Sequence, residues 1–191
     1  VRFSIDNGPA NSKSKLEVPN NAFVTGDWVH VVAVRNAVFD SIMIFANTIW
    51  QGGTADVSGD ISSGEPLWIG ESTDETGTAM SGDMKDVRFY NYAMSEAQIQ
   101  ELFDATNIEE PAMVAHWKMD EGTGTNVADV VAGNNGTMVG LDPDSAWIAS
   151  GGIKFDNVDG NHIEVPHADD IEFGDENLTI SLLVRYTKPA L

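Results

Sequence analysis

Short β-type runs, some alternating apolar with polar positions and some continuously apolar, recur along this chain between turn clusters of Gly, Asn, Asp and Pro. The runs cover residues 1–6, 14–18, 28–35, 41–50, 66–70, 83–92, 113–120, 135–139, 152–156, 161–165 and 177–187, and their spacing predicts an antiparallel sandwich. Within 83–92, Val87 and Phe89 alternate with Asp86, Arg88 and Tyr90, which predicts one buried face and one polar face. Within 114–120, Trp117 and Met119 oppose His116, Lys118 and Asp120 in the same way. Trp28, Trp68 and Trp117 lie inside such strands and are expected in the core. The spacing changes to helical at one place only. Ser95 with Gln98 three residues later forms a capping box ahead of Ala97, Ile99, Leu102 and Phe103, predicting a helix over 95–104 that lies against the sandwich. The following Ala-Thr-Asn-Ile-Glu-Glu-Pro-Ala, residues 105–112, is a polar hinge.

A length of 191 residues suits a single all-β domain, and 42% hydrophobic with 21% charged residues is globular composition. Thirty acidic against ten basic residues give a net charge of -20, which argues against nucleic acid and anionic membranes as partners and in favour of multivalent cations. Solubility in salty surroundings is the plainer reading of the same excess. With no cysteine, disulfides, thiolate metal sites and cysteine nucleophiles are all excluded. No apolar run reaches the roughly 20 residues that span a bilayer, so membrane insertion is not expected. The opening Val-Arg-Phe-Ser-Ile-Asp is strand-like and has neither an initiator Met nor a signal peptide, so an excised domain or a processed fragment is expected.

Trp117 to Gly124 carries a tryptophan strand followed by Asp-Glu-Gly-x-Gly; an Asp and an Asn/Gly-rich turn follow at Asp129 to Gly136, then Gly152 to Asp156, Ile163 to Pro166 and Leu178 to Leu183. Trp28 to Val31, Leu67 to Gly70, and Gly82 to Asn91 entering the helix form a second ordered set. These segments resemble the bacterial laminin G-like, concanavalin A-like lectin/glucanase superfamily, with the two sets in reversed order. The resemblance implies an all-β, antiparallel two-sheet jelly-roll sandwich, circularly permuted, with one short helix. It also implies a single domain over 1–191, in which 1–104 is the second half of the family pattern, 105–112 the hinge and 113–191 the first half. In the usual order roughly 15 to 25 residues would stand between the segments ending at Leu191 and beginning at Val1. Permutation and a cut from a tandem array both predict that 113–187 pairs with 1–104. Closure within one molecule is the expectation, with a strand-exchanged homodimer as the alternative.

The resemblance further implies a structural Ca²⁺ where the first strand meets the last. Its candidate ligands are Asp86 with Asp120 or Glu121, and Asp129 and Asp159 are outer candidates. The competing reading pairs Asp86 with Arg88, Lys118 or a neighbouring strand and leaves Asp129 and Asp159 as turn caps. Trp50 and Trp147 sit beside turn residues and are the candidates for stacking on a sugar face, with packing as the alternative. A laminarinase-type Glu-x-Asp-x-x-Glu strand does not occur, since Glu65 to Glu71 and Asp169 to Glu172 have other spacings. His30, His116, His162 and His167 accompany no nucleophile elbow, so no enzyme is expected. The expected function is a non-catalytic carbohydrate-binding or adhesion module, extracellular or on the cell surface by family, that binds glycan or a cell-surface protein. A ligand-free structural spacer is the alternative, and a glycan-cleaving enzyme a more distant one.

Overall fold

The computed structural model describes residues 2–6, 13–18, 26–72, 77–104 and 113–187. The hinge at 105–112 and the ends at Val1 and 188–191 lie outside the described residues. The chain order is β1 (Arg2–Asp6), β2 (Lys13–Glu17), β3 (Trp28–Asn36), β4 (Ser41–Ala46), β5 (Ile49–Ala55), β6 (Leu67–Ile69), β7 (Ser81–Tyr90) and α1 (Glu96–Asp104). It continues with β8 (Met113–Trp117), β9 (Asn126–Val127), β10 (Gly136–Val139), α2 (Pro143–Ala146), β11 (Ile153–Asp156), β12 (His162–Val165) and β13 (Leu178–Tyr186). The architecture is all-β and antiparallel, as the periodicity and the resemblance predict.

One layer is a seven-stranded sheet in the order β11-β7-β13-β3-β4-β5, with β8 also on β7. Strand β13 runs between β3 and β7, so that Ser181 stands opposite both Val32 and Arg88. Residues before and after the 105–112 segment therefore share one hydrogen-bonded sheet. The facing layer consists of a four-stranded sheet, β6-β12-β10-β9, and the separate β1-β2 hairpin.

Burial follows this layering. Between the two sheets Trp117, Met119, Val127, Ile153 and Ile163 are fully buried, with Phe89 edge-on to Trp117 at 5.6 Å. Beneath the hairpin, Ile5, Leu16 and Val18 pack on Val29, Val31, Ile42 and Ile44. On the opposite face of the large sheet α1 lays Ile99 and Leu102 over Val32, Val34, Phe45 and Tyr90. Strand β3 thus feeds its odd residues to one layer and its even residues to the other, which is why Val29–Arg35 is buried without a break. The predicted capping box forms as well. Gln98 N donates to Ser95 Oγ at 3.4 Å while Ser95 N donates to Gln98 Oε1 at 2.9 Å.

Three expectations are corrected. The run 41–50 is two strands, because Asn47 and Thr48 both take positive φ, 46° and 69°, and turn the chain in a two-residue hairpin. Tyr90, assigned by alternation to a polar face, is fully buried because α1 covers that face. Trp28 and Trp68 are only partly buried rather than core. Lys85 Nζ and the Arg185 guanidinium lie 4.5 and 5.0 Å from the Trp28 ring centroid, and Trp68 stacks on His162 at 3.8 Å.

Candidate functional site

The tight β4-β5 turn places the chain's most exposed tryptophan. Asn47 fixes the turn against β3, its N–H donating to His30 O at 2.8 Å and its Oδ1 accepting from His30 N at 2.9 Å. The two residues that follow on the edge strand β5, Ile49 and Trp50, are 66% and 56% exposed. Gly52 and Gly53 come next, and a Cβ built on Gly53 would lie 3.9 Å from Trp50 Cζ2, so the indole lies close to side-chain-free backbone. A half-exposed indole flanked by glycines forms a flat apolar platform of the kind a sugar ring stacks on.

Trp147 stands differently. It follows α2, whose Asp142 side chain caps Asp144 N and whose first residue is Pro143. Its Nε1 donates to Gly124 O at 2.8 Å, and its ring packs on the main core. Trp147 bridges Ile153 on β11, at the opposite end of the sheet order from β5. Five strand spacings of about 4.8 Å separate those ends, so one small glycan cannot touch both tryptophans.

The five carboxylates are dispersed among separate tasks. Asp86 sits at positive φ, 57°, where the β7-β13 register shifts. It accepts from His116 Nε2 at 2.6 Å and from Arg88 Nε at 3.1 Å. Burial opposes ionisation there, but the bonds from His116 and the Arg88 charge outweigh it and hold its pKa below the ordinary value. Asp129 is saturated. Its Oδ1 takes the N–H of His116 and Val131 at 2.8 and 3.0 Å, and its Oδ2 those of Ala132 and Asn134 at 3.2 and 3.1 Å. Asp159 accepts from Gly77 N with both oxygens, at 3.1 and 3.2 Å. Asp120 is exposed. Glu121 Oε1 accepts from Ala128 N at 2.7 Å, whereas its Oε2 is buried with no hydrogen-bond partner among the described residues.

Among the described residues no three His, Asp or Glu side chains are grouped as a metal centre. A calcium ion held by the whole set does not fit this arrangement: Arg88 neutralises Asp86, and the four amides consume the acceptors of Asp129. Asp120, the Glu121 Oε2 and the exposed Asp159, whose two oxygens share one amide, are the part of the set that keeps acceptors open.

Two polar pairs in the large sheet were not read from the sequence. His116 joins Asp86 across β7-β8, and His30 Nε2 lies 2.8 Å from Ser181 Oγ, both residues buried. Burial chiefly, then the nearby Arg88 charge, lowers the His30 pKa to about 4, with Asp86 opposing. No carboxylate supports its Nδ1, which is buried without a partner among the described residues, so the pair has no third member. Ser181 lies in the apolar run Leu178–Val184, and only its cross-strand register marks it.

Layers, register and helix together define a concanavalin A-like β-sandwich. A family model described as the concanavalin A-like lectin/glucanases superfamily matches residues 1–100, and the chain belongs to that superfamily. No curated protein and no solved structure matches the chain significantly. Membership supports a carbohydrate-binding or adhesion-type module within a superfamily that also includes glucanases. Among the described residues no helix is long and apolar enough to cross a membrane.

Proposed function

We propose that the chain is a non-catalytic glycan-binding module of a secreted or cell-surface bacterial protein, with Trp50 as its sugar-stacking residue. The observation that carries the reading is the 56% exposure of that indole on the edge strand of a lectin-superfamily sandwich. Such a site works through a rigid sheet that holds one aromatic face ready, and weak single-site affinity rises when modules repeat in a parent protein. The reading takes 1–191 as one domain with its halves in permuted order; the insertion of β13 between β3 and β7 supports the single domain, as it would for a cut from a tandem array.

A glycan array is the direct test. Trp50→Ala should lower the sugar signal about tenfold, the scale of one aromatic contact, while Trp147→Ala should act through stability instead. A spacer would give no sugar signal with either protein, and reducing ends released from β-glucan would indicate an enzyme.

A structural calcium belongs to the proposal only at Asp120 and Glu121, where the buried Oε2 is an acceptor in need of a donor or cation. Adding Ca²⁺ after EDTA should raise the melting temperature through linkage. Coincident curves would remove the metal.

A further inference from the structure

The seven-stranded sheet ends differently on its two sides. Beyond β11 the chain adds the Trp147–Ile153 bridge, and beyond β8 the Trp117–Asp129 bridge and the bond from Val130 N to His116 O. On the other side, among the described residues, β5 pairs with β4 alone. Apart from that ladder its residues make one hydrogen bond, from Gln51 Nε2 to Ile49 O within the strand itself. Ile49, Trp50, Gly53, Thr54 and Ala55 are exposed. Edges open to water are ordinarily blunted by charged side chains, by proline or by a covering element. The whole β4-β5 hairpin, residues 41–55, contains no Asp, Glu, Lys, Arg, His or Pro, in a chain of net charge -20. A bulge at Gln51, which has no residue opposite on β4, leaves 52–55 as the regular stretch of the edge.

We propose that β5 pairs antiparallel with β5 of a second copy of this chain about a two-fold axis, joining the two large sheets into one. A strand edge carries both N–H and C=O groups, so the same strand turned about that axis is its own complement. Charge selects the second copy as the occupant. Two bodies of net charge -20 repel wherever their acidic surfaces face, and a hairpin free of charge is where they can meet. A basic partner would be drawn to the acidic surface instead. Matching of faces sets the register. Gly52 and Thr54 stand opposite Ile44 and Ile42, which pack beneath the β1-β2 hairpin, whereas Gly53 stands opposite Met43 on the α1 face. An axis through Gly53 sets Gly52 against Thr54 of the second copy, so each face continues across the joint. Trp50 stands opposite Phe45, also on the α1 face, and its Cζ2 lies 3.9 Å from the place a Gly53 Cβ would take. Each indole therefore leans over its own Gly53 beside the axis, about one strand spacing of 4.8 Å from the other copy's Gly53. Two indoles side by side give the interface a central apolar anchor. They also widen the platform for a sugar ring, a consequence that rests on the reading of Trp50 as the stacking residue.

Sedimentation equilibrium of the full chain without sugar tests the pairing apart from any glycan. The mass should rise from monomer to dimer with concentration. Association should tighten at least about threefold between about 50 mM and about 500 mM NaCl, because salt screens the repulsion between like charges. Thr54→Glu, which sets a carboxylate on the edge beside the axis, should weaken the dimer at least about tenfold, whereas Val158→Ser, at an exposed side chain just after β11, should leave it unchanged. Hydrogen exchange of the unmutated chain gives a readout independent of any variant: exchange at 52–55 should slow as concentration rises. A monomer at every concentration up to about 1 mM, a dimer that salt weakens, equal association of Thr54→Glu, or a dimer with unchanged exchange at 52–55, as strand exchange would leave it, would each overturn the proposal.

Discussion

Arg35→Met should be among the most damaging single substitutions outside the apolar core. Arg35 ends the apolar run of β3, and its side chain is 3% exposed. Its Nε donates to Asp56 Oδ2 at 2.7 Å, one terminal nitrogen donates to Gly174 O at 2.7 Å and Glu176 O at 3.2 Å, and the other donates to Gly59 O. Asp56, 4% exposed, also accepts from Ser14 Oγ at 2.6 Å and from Ser58 N at 3.0 Å. One guanidinium thus ties β3, the segment after β5 and the entrance to β13, while its carboxylate partner ties in the β1-β2 hairpin. Removing the cation leaves a buried anion and three carbonyls short of a donor.

Breaking a buried pair of this kind costs about 3–5 kcal/mol. For a chain of this size that corresponds to a melting temperature lower by roughly 6–20 °C. Urea denaturation followed by tryptophan fluorescence measures the loss, and the double variant with Asp56→Asn tests its cause. The amide removes the stranded charge, so the double variant should be more stable than the sum of the single effects by about 2 kcal/mol. A loss below about 1 kcal/mol for Arg35→Met, or strict additivity, would refute the reasoning. Acid provides a second readout. Burial alone would raise the Asp56 pKa, but the bonds from Ser14, Ser58 and Arg35 hold it well below the usual carboxylate range. The unfolded chain then binds more protons than the folded one below about pH 4, so this stabilisation is present above that pH and fades as pH falls. Asp56→Asn should lose that part of the acid dependence.

Two further outcomes follow from other elements. His30, with its pKa lowered to about 4 against about 6.5 when unfolded, should leave stability untouched above pH 6.5 and cost the folded state up to roughly 3 kcal/mol as pH falls towards 4. Its titration by NMR, and a flatter stability profile in His30→Gln, check this, and a His30 midpoint near 6.5 would contradict it. Gly82→Ala should cost more than about 2 kcal/mol, because Gly82 has φ 142° and its added Cβ would meet Arg185 O across the β7-β13 pairing. Gly122→Ala, at φ 72° with nothing within 4 Å, carries only the backbone part, about 1 kcal/mol. Equal losses in the two would contradict a steric cost at Gly82.

What the sequence revealed, and what it hid, divides along the range of the interactions. The helix was legible to within one residue, starting at Glu96 instead of 95, because Ser95 and Gln98 satisfy each other three positions apart. Strand runs were legible where one face is wet, as at Trp117 and Lys118. Tyr90 was misplaced because alternation assigns faces but does not say that a helix covers the second one. The 46–49 turn escaped notice since Asn47 and Thr48 adopt positive φ without a glycine to announce it. The site suffered most. Asp86 and Asp129 look like open ligands in a strongly acidic chain, yet both are consumed as the competing reading has it: Asp86 by Arg88 two positions on, Asp129 by the amides of its own turn at 131, 132 and 134, and only His116, which bonds to both, is brought in by strand pairing. Arg35 and Asp56 lie 21 positions apart, and Arg35 reaches Gly174 across 139, separations that no local pattern encodes. Trp50 was singled out by its turn neighbours and Trp147 by the same reasoning, but only the first projects from an edge strand. Whether an aromatic beside a turn is a platform or a plug depends on the layer it meets. Here Trp147 meets Gly124 and Ile153 against the main core, whereas Trp50 stands on an edge strand with no layer over it.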